Sequence, residues 1–241
     1  MNQTLMGKKV VIVGGSSGIG LATAKVAAEK GSEVLIAGRS ADKLDRAVTE
    51  IGSACSAKQL DVTDEEAVKA FFEDIESIDH LITSASGSVL GAFLEMETSD
   101  ARALVESKLW GQYYLAKYAA PKLSSDASIT FFSGIVSQRP MAGASTYAII
   151  AGAMESLTRS LALELAPVRV NCITPGVIDT PVWSELLPDD IKAQQFSSIA
   201  SALPVKRVGT PEDVSKAVLY VMENEFATGS IINVDGGYCV S

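Results

Sequence analysis

The sequence predicts an α/β protein: a single-domain, doubly wound parallel sheet of about seven strands with helices on both faces. Three observations predict it. Short apolar runs alternate with helical stretches from end to end, a pattern that builds parallel sheets covered on both sides. The first apolar run, Val10 to Val13, leads straight into Gly14, Gly18 and Gly20 and then into a helical stretch closed by Gly31. No linker-like or low-complexity segment interrupts the 241 residues, so residues 1–241 read as one domain.

Taken in order, GSEVLIAGRS (31–40) holds a second buried strand, and Ser40 is a candidate N-cap for an amphipathic helix. SAKQLDV is a third strand, and TDEEAVKAFFEDI is a helix with acidic residues in its first turn. DHLITSASG is a fourth strand and turn; TSDARALVESKLWGQYYLAKYAAPKL reads as one long helix. ASITFFSG is a fifth strand, and the helix from Thr146 is ended by Pro167. VRVNCITPG is a sixth strand. Thr210 and Pro211 open another helix, and SIINVDGG is the last strand.

Composition narrows the function. A hydrophobic share of 47% supports a sizeable core, and a net charge of −9 argues against nucleic acid or an anionic membrane surface as partner. No apolar run approaches the roughly 20 residues of a membrane span, and MNQTLMGKK carries no apolar signal region. A cytoplasmic protein is expected. Cys55, Cys172 and Cys239 are far apart and read as reduced core residues. His80 is the only histidine, so neither a His-based metal site nor a Ser-His triad is available; no metal is expected.

Strand, glycine turn and helix together make a phosphate cradle, because glycines allow close approach and a helix N-terminus offers free N–H groups. Gly14, Ser16, Ser17, Gly18, Ile19 and Gly20 are the expected dinucleotide contacts. A plain tight turn would not need all three glycines. The second strand ends Ala37-Gly38-Arg39-Ser40, without the acid that bonds a ribose 2′-hydroxyl. Arg39 can grip a 2′-phosphate and Ser40 can add a hydroxyl, which favours NADP(H) over NAD(H); the alternative for Arg39 is a solvated charge. Asp61, with Val62 beside it, closes the third strand where an adenine amino group is bonded, or else it caps the helix that follows.

GGSSGIG, LDV at 60–62, the helix containing Tyr147, NCITPGVIDT at 171–180, PVKRVGTPEDV at 204–214 and TGSIINVDGGY at 228–238 together resemble a short-chain dehydrogenase/reductase over essentially the whole chain. The resemblance implies a Rossmann-type fold and a nicotinamide cofactor, with Pro175, Gly176, Ile178 and Thr180 at its nicotinamide end. The turn that is usually Asn-Asn-Ala-Gly is here Thr83-Ser84-Ala85-Ser86. Ser84, Ala85 and Ser86 would line the cofactor through their backbone, while the missing asparagine amides remove bonds that steady the sheet centre.

The catalytic positions depart from the family's Asn, Ser, Tyr and Lys. Tyr147 matches the tyrosine, but four residues on is Ala151. The serine position is Gly134, with Ser133 its neighbour, and the asparagine position is Lys108. A tyrosine of pKa near 10 with no cation beside it is a poor base at neutral pH but still a proton donor. Lys108 either moves into the space vacated at Ala151 and supplies the missing charge, or is a surface or interface charge. Ser133 either serves as donor to the substrate oxygen or points away, since adjacent strand residues face opposite sides; Tyr147 itself is either catalytic or a packing residue.

Residues 181–203 read as a helical lid over an apolar small-molecule substrate, with Trp183, Leu186, Leu187, Phe196, Met141 and residues 89–93 as apolar walls. The leading expectation is an NADP(H)-dependent oxidoreductase on a carbonyl, alcohol or imine with an altered proton relay. The alternatives are a catalytically impaired NADP(H)-binding sensor or partner subunit, and a non-redox lyase or dehalogenase. The resemblance also implies a homotetramer or homodimer through residues 97–123, 145–167 and the last strand.

Overall fold

Val10 to Val13 are apolar without interruption because both faces of their strand are covered. In the computed structural model, which describes residues 5–85 and 89–241, Val10 and Ile12 join one apolar core and Val11 and Val13 the other. This strand, β1 (Lys9–Val13), lies inside a sheet with β2 (Glu33–Gly38), β3 (Cys55–Gln59), β4 (Ile78–Thr83), β5 (Leu123–Phe132), β6 (Arg169–Pro175) and β7 (Ile231–Val234). All seven strands are parallel, in the order β3-β2-β1-β4-β5-β6-β7. The chain winds outward through β2 and β3, then crosses to the other side of β1 at β4. That reversal opens a crevice at the carboxyl ends of β1 and β4, where Val13 pairs with Thr83.

Helices α1 (Gly18–Glu29), α2 (Ala41–Ile51) and α9 (Pro211–Glu223) cover one face. Helices α3 (Glu65–Glu73), α4 (Thr98–Val105), α5 (Gly111–Ala119) and α6 (Ser145–Glu164) cover the other. Ser40 caps α2 by accepting the Lys43 N–H, and Asp64 caps α3 by accepting that of Ala67. Thr210 and Asp213 form a capping box at α9, with Pro211 in the first turn.

Two expectations are corrected in detail, and the helical reading of 181–203 is refined. The long helix over 98–123 is not uniform: a π-helical turn at Glu106–Trp110 joins α4 to α5, and Lys108 sits in it. The third strand stops at Gln59, so Asp61 lies in the turn beyond it, where Oδ1 accepts from the Thr63 N–H at 3.0 Å. It does not cap α3, because Asp64 does. Residues 181–203 form two helices, α7 (Pro181–Leu186) and α8 (Asp189–Ala202), because Leu187 is extended ahead of Pro188. Cys55 and Cys172 are buried thiols as expected, whereas Cys239 is only half-buried in the last turn of the chain. Among the described residues no helix is long and apolar enough to cross a membrane, and no acidic, histidine or cysteine cluster could hold a metal.

Candidate active site

The crevice at the carboxyl ends of the strands is a cleft of about 920 Å³, the size of a cofactor site. Its floor is the glycine turn. Gly14 has φ +88°, and a Cβ there would fall 2.4 Å from the Ala85 nitrogen; one on Gly20 would fall 2.2 Å from the Gly14 carbonyl oxygen. The backbone is therefore packed too tightly for any side chain. Unlike α2, α3 and α9, helix α1 has no side-chain cap and no acidic residue in its first turn. Its first N–H groups and positive dipole end face the cleft unneutralised, which suits a pyrophosphate.

At the far end of the cleft Arg39 is exposed, and its guanidinium has no hydrogen bond or ion pair among the described residues. The Thr63 N–H above all, and the Arg39 charge to a smaller degree, hold the Asp61 carboxyl below the usual range. Each described residue expected to touch a dinucleotide lines this cleft: Gly14 and residues 16–20 of the turn, Arg39 and Ser40, Asp61 and Val62, Ser84 and Ala85, and Pro175, Gly176, Ile178 and Thr180. Ser86 lies outside the described residues. The cradle, the bare helix end and the exposed Arg39 guanidinium fit a phosphorylated dinucleotide.

Tyr147, Lys108 and Ser133 reach the same cleft. Tyr147 projects from the first turns of α6, and its hydroxyl accepts the Val89 N–H at 3.2 Å. Lys108 Nζ lies 5.3 Å from the centroid of the Tyr147 ring and makes no hydrogen bond or ion pair among the described residues. The residue as a whole is half-buried at the cleft wall, and desolvation of its ammonium pushes the pKa down to about 8. Ser133 turns the other way: its hydroxyl donates to the Ala151 carbonyl at 3.1 Å, tying the end of β5 to α6. Ala151 itself is buried. A Cβ on Gly134 would meet nothing nearer than a Val136 methyl at 3.9 Å, so this position holds open space.

Sequence reasoning missed Gln112. Its carboxamide, buried at the centre of the molecule, accepts from the Thr83 hydroxyl at 2.6 Å and the Phe132 N–H at 2.9 Å. It donates to the Phe132 carbonyl at 2.9 Å and the Lys108 carbonyl at 2.7 Å. One side chain thus joins the ends of β4 and β5 to the π turn carrying Lys108. It steadies the sheet centre from a helix where asparagines were expected to be missed from the β4 turn. The available signal was an amide in the buried stripe Gln112, Leu115, Ala116 and Ala119 of α5. Lys43 and Glu185, which also line the cleft, were likewise missed.

The substrate end is apolar, with Val89, Leu90, Met141, Trp183 and Leu186 in its walls. Leu187 and Phe196 do not line it; Phe196 supports Trp183 from behind by an edge contact at 5.6 Å. Phe93 is exposed.

The chain matches the family described as enoyl-(acyl carrier protein) reductase over residues 13–239. It is 32% identical over 250 residues to the 3-oxoacyl-[acyl-carrier-protein] reductase of Chlamydia pneumoniae, covering 98% of this chain and 99% of the relative. It is 33% identical over 240 residues to carbonyl reductase family member 4 of Xenopus laevis, covering 96% and 98%. A short-chain dehydrogenase/reductase from Brucella melitensis superposes with a TM-score of 0.91 at 29% identity over 98% of each chain. The chain belongs to the short-chain dehydrogenase/reductase family. A small-chain dehydrogenase solved in complex with NADPH superposes on it with a TM-score of 0.86 at 32% identity, covering 98% of this chain and 100% of the other. As a short-chain dehydrogenase/reductase it is an oxidoreductase by descent, and the cleft at the carboxyl ends of β1 and β4 is where its expected cofactor residues meet.

Proposed function

We propose that this chain is an NADP(H)-dependent reductase of small apolar carbonyl or imine compounds, in which Lys108 stands in for the lysine absent at Ala151. The observation that carries the reading is the Lys108 ammonium over the Tyr147 ring, at 5.3 Å from its centroid, in the same cleft as the glycine cradle and Arg39. NADPH supplies the hydride when bound. The glycine turn and the α1 N-terminus hold its pyrophosphate, and Arg39 and Ser40 select its 2′-phosphate. Pro175, Gly176, Ile178 and Thr180 hold its nicotinamide end. The Tyr147 hydroxyl hands its proton to the substrate oxygen or nitrogen. The Lys108 cation stabilises the phenolate left behind, and a lysine poised near pH 8 can return the proton. Ser133 spends its hydroxyl on Ala151, so the relay works without a serine at the substrate.

The direct test is NADPH oxidation over a panel of apolar aldehydes, ketones and cyclic imines, with Tyr147→Phe as control. Turnover that disappears in Tyr147→Phe supports the reading; turnover unchanged in that variant sinks it. A second reading, an NADP(H) sensor, is favoured by the Ser133 bond to Ala151 and by the open space at Gly134, which leave the family's serine position without a hydroxyl. Tight NADPH binding with no turnover across the panel would select it.

Exposed Trp110, Tyr113, Ile149 and Leu163, on the two long helical segments, support assembly into a homodimer or homotetramer. We place α7 and α8 as the substrate lid.

A further inference from the structure

We propose that Lys43 is a second phosphate-gripping cation beside Arg39, and that Glu185 holds it as a latch across the cleft until a ribose phosphate displaces the carboxylate. The proposal rests on the NADP(H) reading and deepens it. Lys43 lies in the first turn of α2, and its N–H donates to Ser40 Oγ at 3.3 Å, so Arg39, Ser40 and Lys43 belong to one short segment at the adenosine end of the cleft. Glu185 comes from α7, 142 positions later, and its Oε1 lies 3.3 Å from Lys43 Nζ. Both side chains line the cleft, so this ion pair bridges its two walls.

The pair is weak enough to be exchanged. Its side chains are 47% and 65% exposed, and such ion pairs are screened and contribute little. A phosphate monoester brings about −1.5 to −2 charges and three acceptor oxygens against the single charge of a carboxylate. The Arg39 guanidinium makes no hydrogen bond or ion pair among the described residues and belongs to the same short segment, so a phosphate arriving between the two cations makes charge-assisted bonds to both. Glu185 then acts twice: it keeps Lys43 positioned over the cleft, and it opposes the phosphate by holding one of its ligands. Once Lys43 turns to the phosphate, α7 loses its tie to α2. Trp183 and Leu186, the apolar wall carried on α7, are then released to adjust to substrate. A nucleotide without the 2′-phosphate has nothing to offer Lys43 and leaves the latch shut.

Binding, not turnover, tests this. NADPH, NADH and 2′,5′-ADP are titrated calorimetrically against the wild type, Lys43→Met, Glu185→Gln and the double variant. Lys43→Met should weaken NADPH and 2′,5′-ADP about ten-fold and leave NADH nearly unchanged. Glu185→Gln should tighten both phosphorylated ligands roughly three-fold, and this gain should vanish in the Lys43→Met background. If NADPH binds but Lys43→Met does not weaken it, or the Glu185→Gln gain survives without Lys43, the latch is wrong while the cofactor reading stands. If the wild type binds no nicotinamide nucleotide, both fall together.

Discussion

The Lys108 ammonium stands over the Tyr147 ring, 5.3 Å from its centroid, although the two residues come from different helices, the π turn after α4 and the start of α6. Tyrosine phenolate is stabilised by a nearby cation, and a cation near an aromatic face is itself held there.

Replacing that cation should show in the pH profile. Burial lowers the Lys108 pKa to about 8, so the residue is charged below that value and neutral above it. Reduction uses the charged form, so kcat should fall as pH rises through about 8. In Lys108→Met this limb should vanish and kcat should drop on the order of 100-fold, as loss of a proton-transfer partner does. Stopped-flow NADPH oxidation between pH 6 and 10 checks both; an unchanged profile would remove Lys108 from the relay.

Opening the serine position should help. Gly134 has extended backbone, φ −161° and ψ 154°, that any residue adopts, and its Cβ direction is open to 3.9 Å. Gly134→Ser should fold with an unchanged melting temperature and place a hydroxyl at the position where the family carries its serine. Carbonyl reduction should rise by roughly ten-fold, about the net worth of one hydrogen bond to the substrate oxygen. Equal kcat/KM in variant and wild type would mean that the substrate oxygen lies elsewhere.

Gln112 should prove the keystone of the sheet centre. Gln112→Met keeps the length of the side chain but leaves the Phe132 N–H and the Lys108 and Phe132 carbonyls without their partner. Stranding these groups should cost about 3 kcal/mol of stability, read from urea unfolding. A loss below about 1 kcal/mol would show that water replaces the amide.

Acid should destabilise the fold through His80. The ring is buried, with Nδ1 2.8 Å from Ser128 Oγ. Desolvation first, and the Arg169 charge second, lower its pKa from 6.5 to about 4. The folded state therefore refuses a proton that the unfolded chain accepts between those values. The contribution is complete above about pH 6.5 and is lost as pH falls toward 4, amounting to at most about 3 kcal/mol. Unfolding at stepped pH should show the stability gap between wild type and His80→Gln closing across that window; a constant gap would contradict the buried neutral ring.

The amino-acid sequence by itself determined the architecture and the cofactor floor. Uninterrupted apolar runs such as Val10–Val13 mean strands covered on both faces, and alternation with helices leaves parallel winding as the solution. Gly14, Gly18, Gly20 and Arg39 were readable because turn chemistry and strand-end position are local properties. What only the tertiary structure decided were the pairings across distance: Lys108 with Tyr147, Lys43 with Glu185, and Gln112 with three backbone groups and a hydroxyl. Ser133 showed the same limit, since its direction followed from how the end of β5 meets α6. Such pairings depend on where packed elements bring side chains together, and on a helix that shifts its register by one π turn, which no local period encodes.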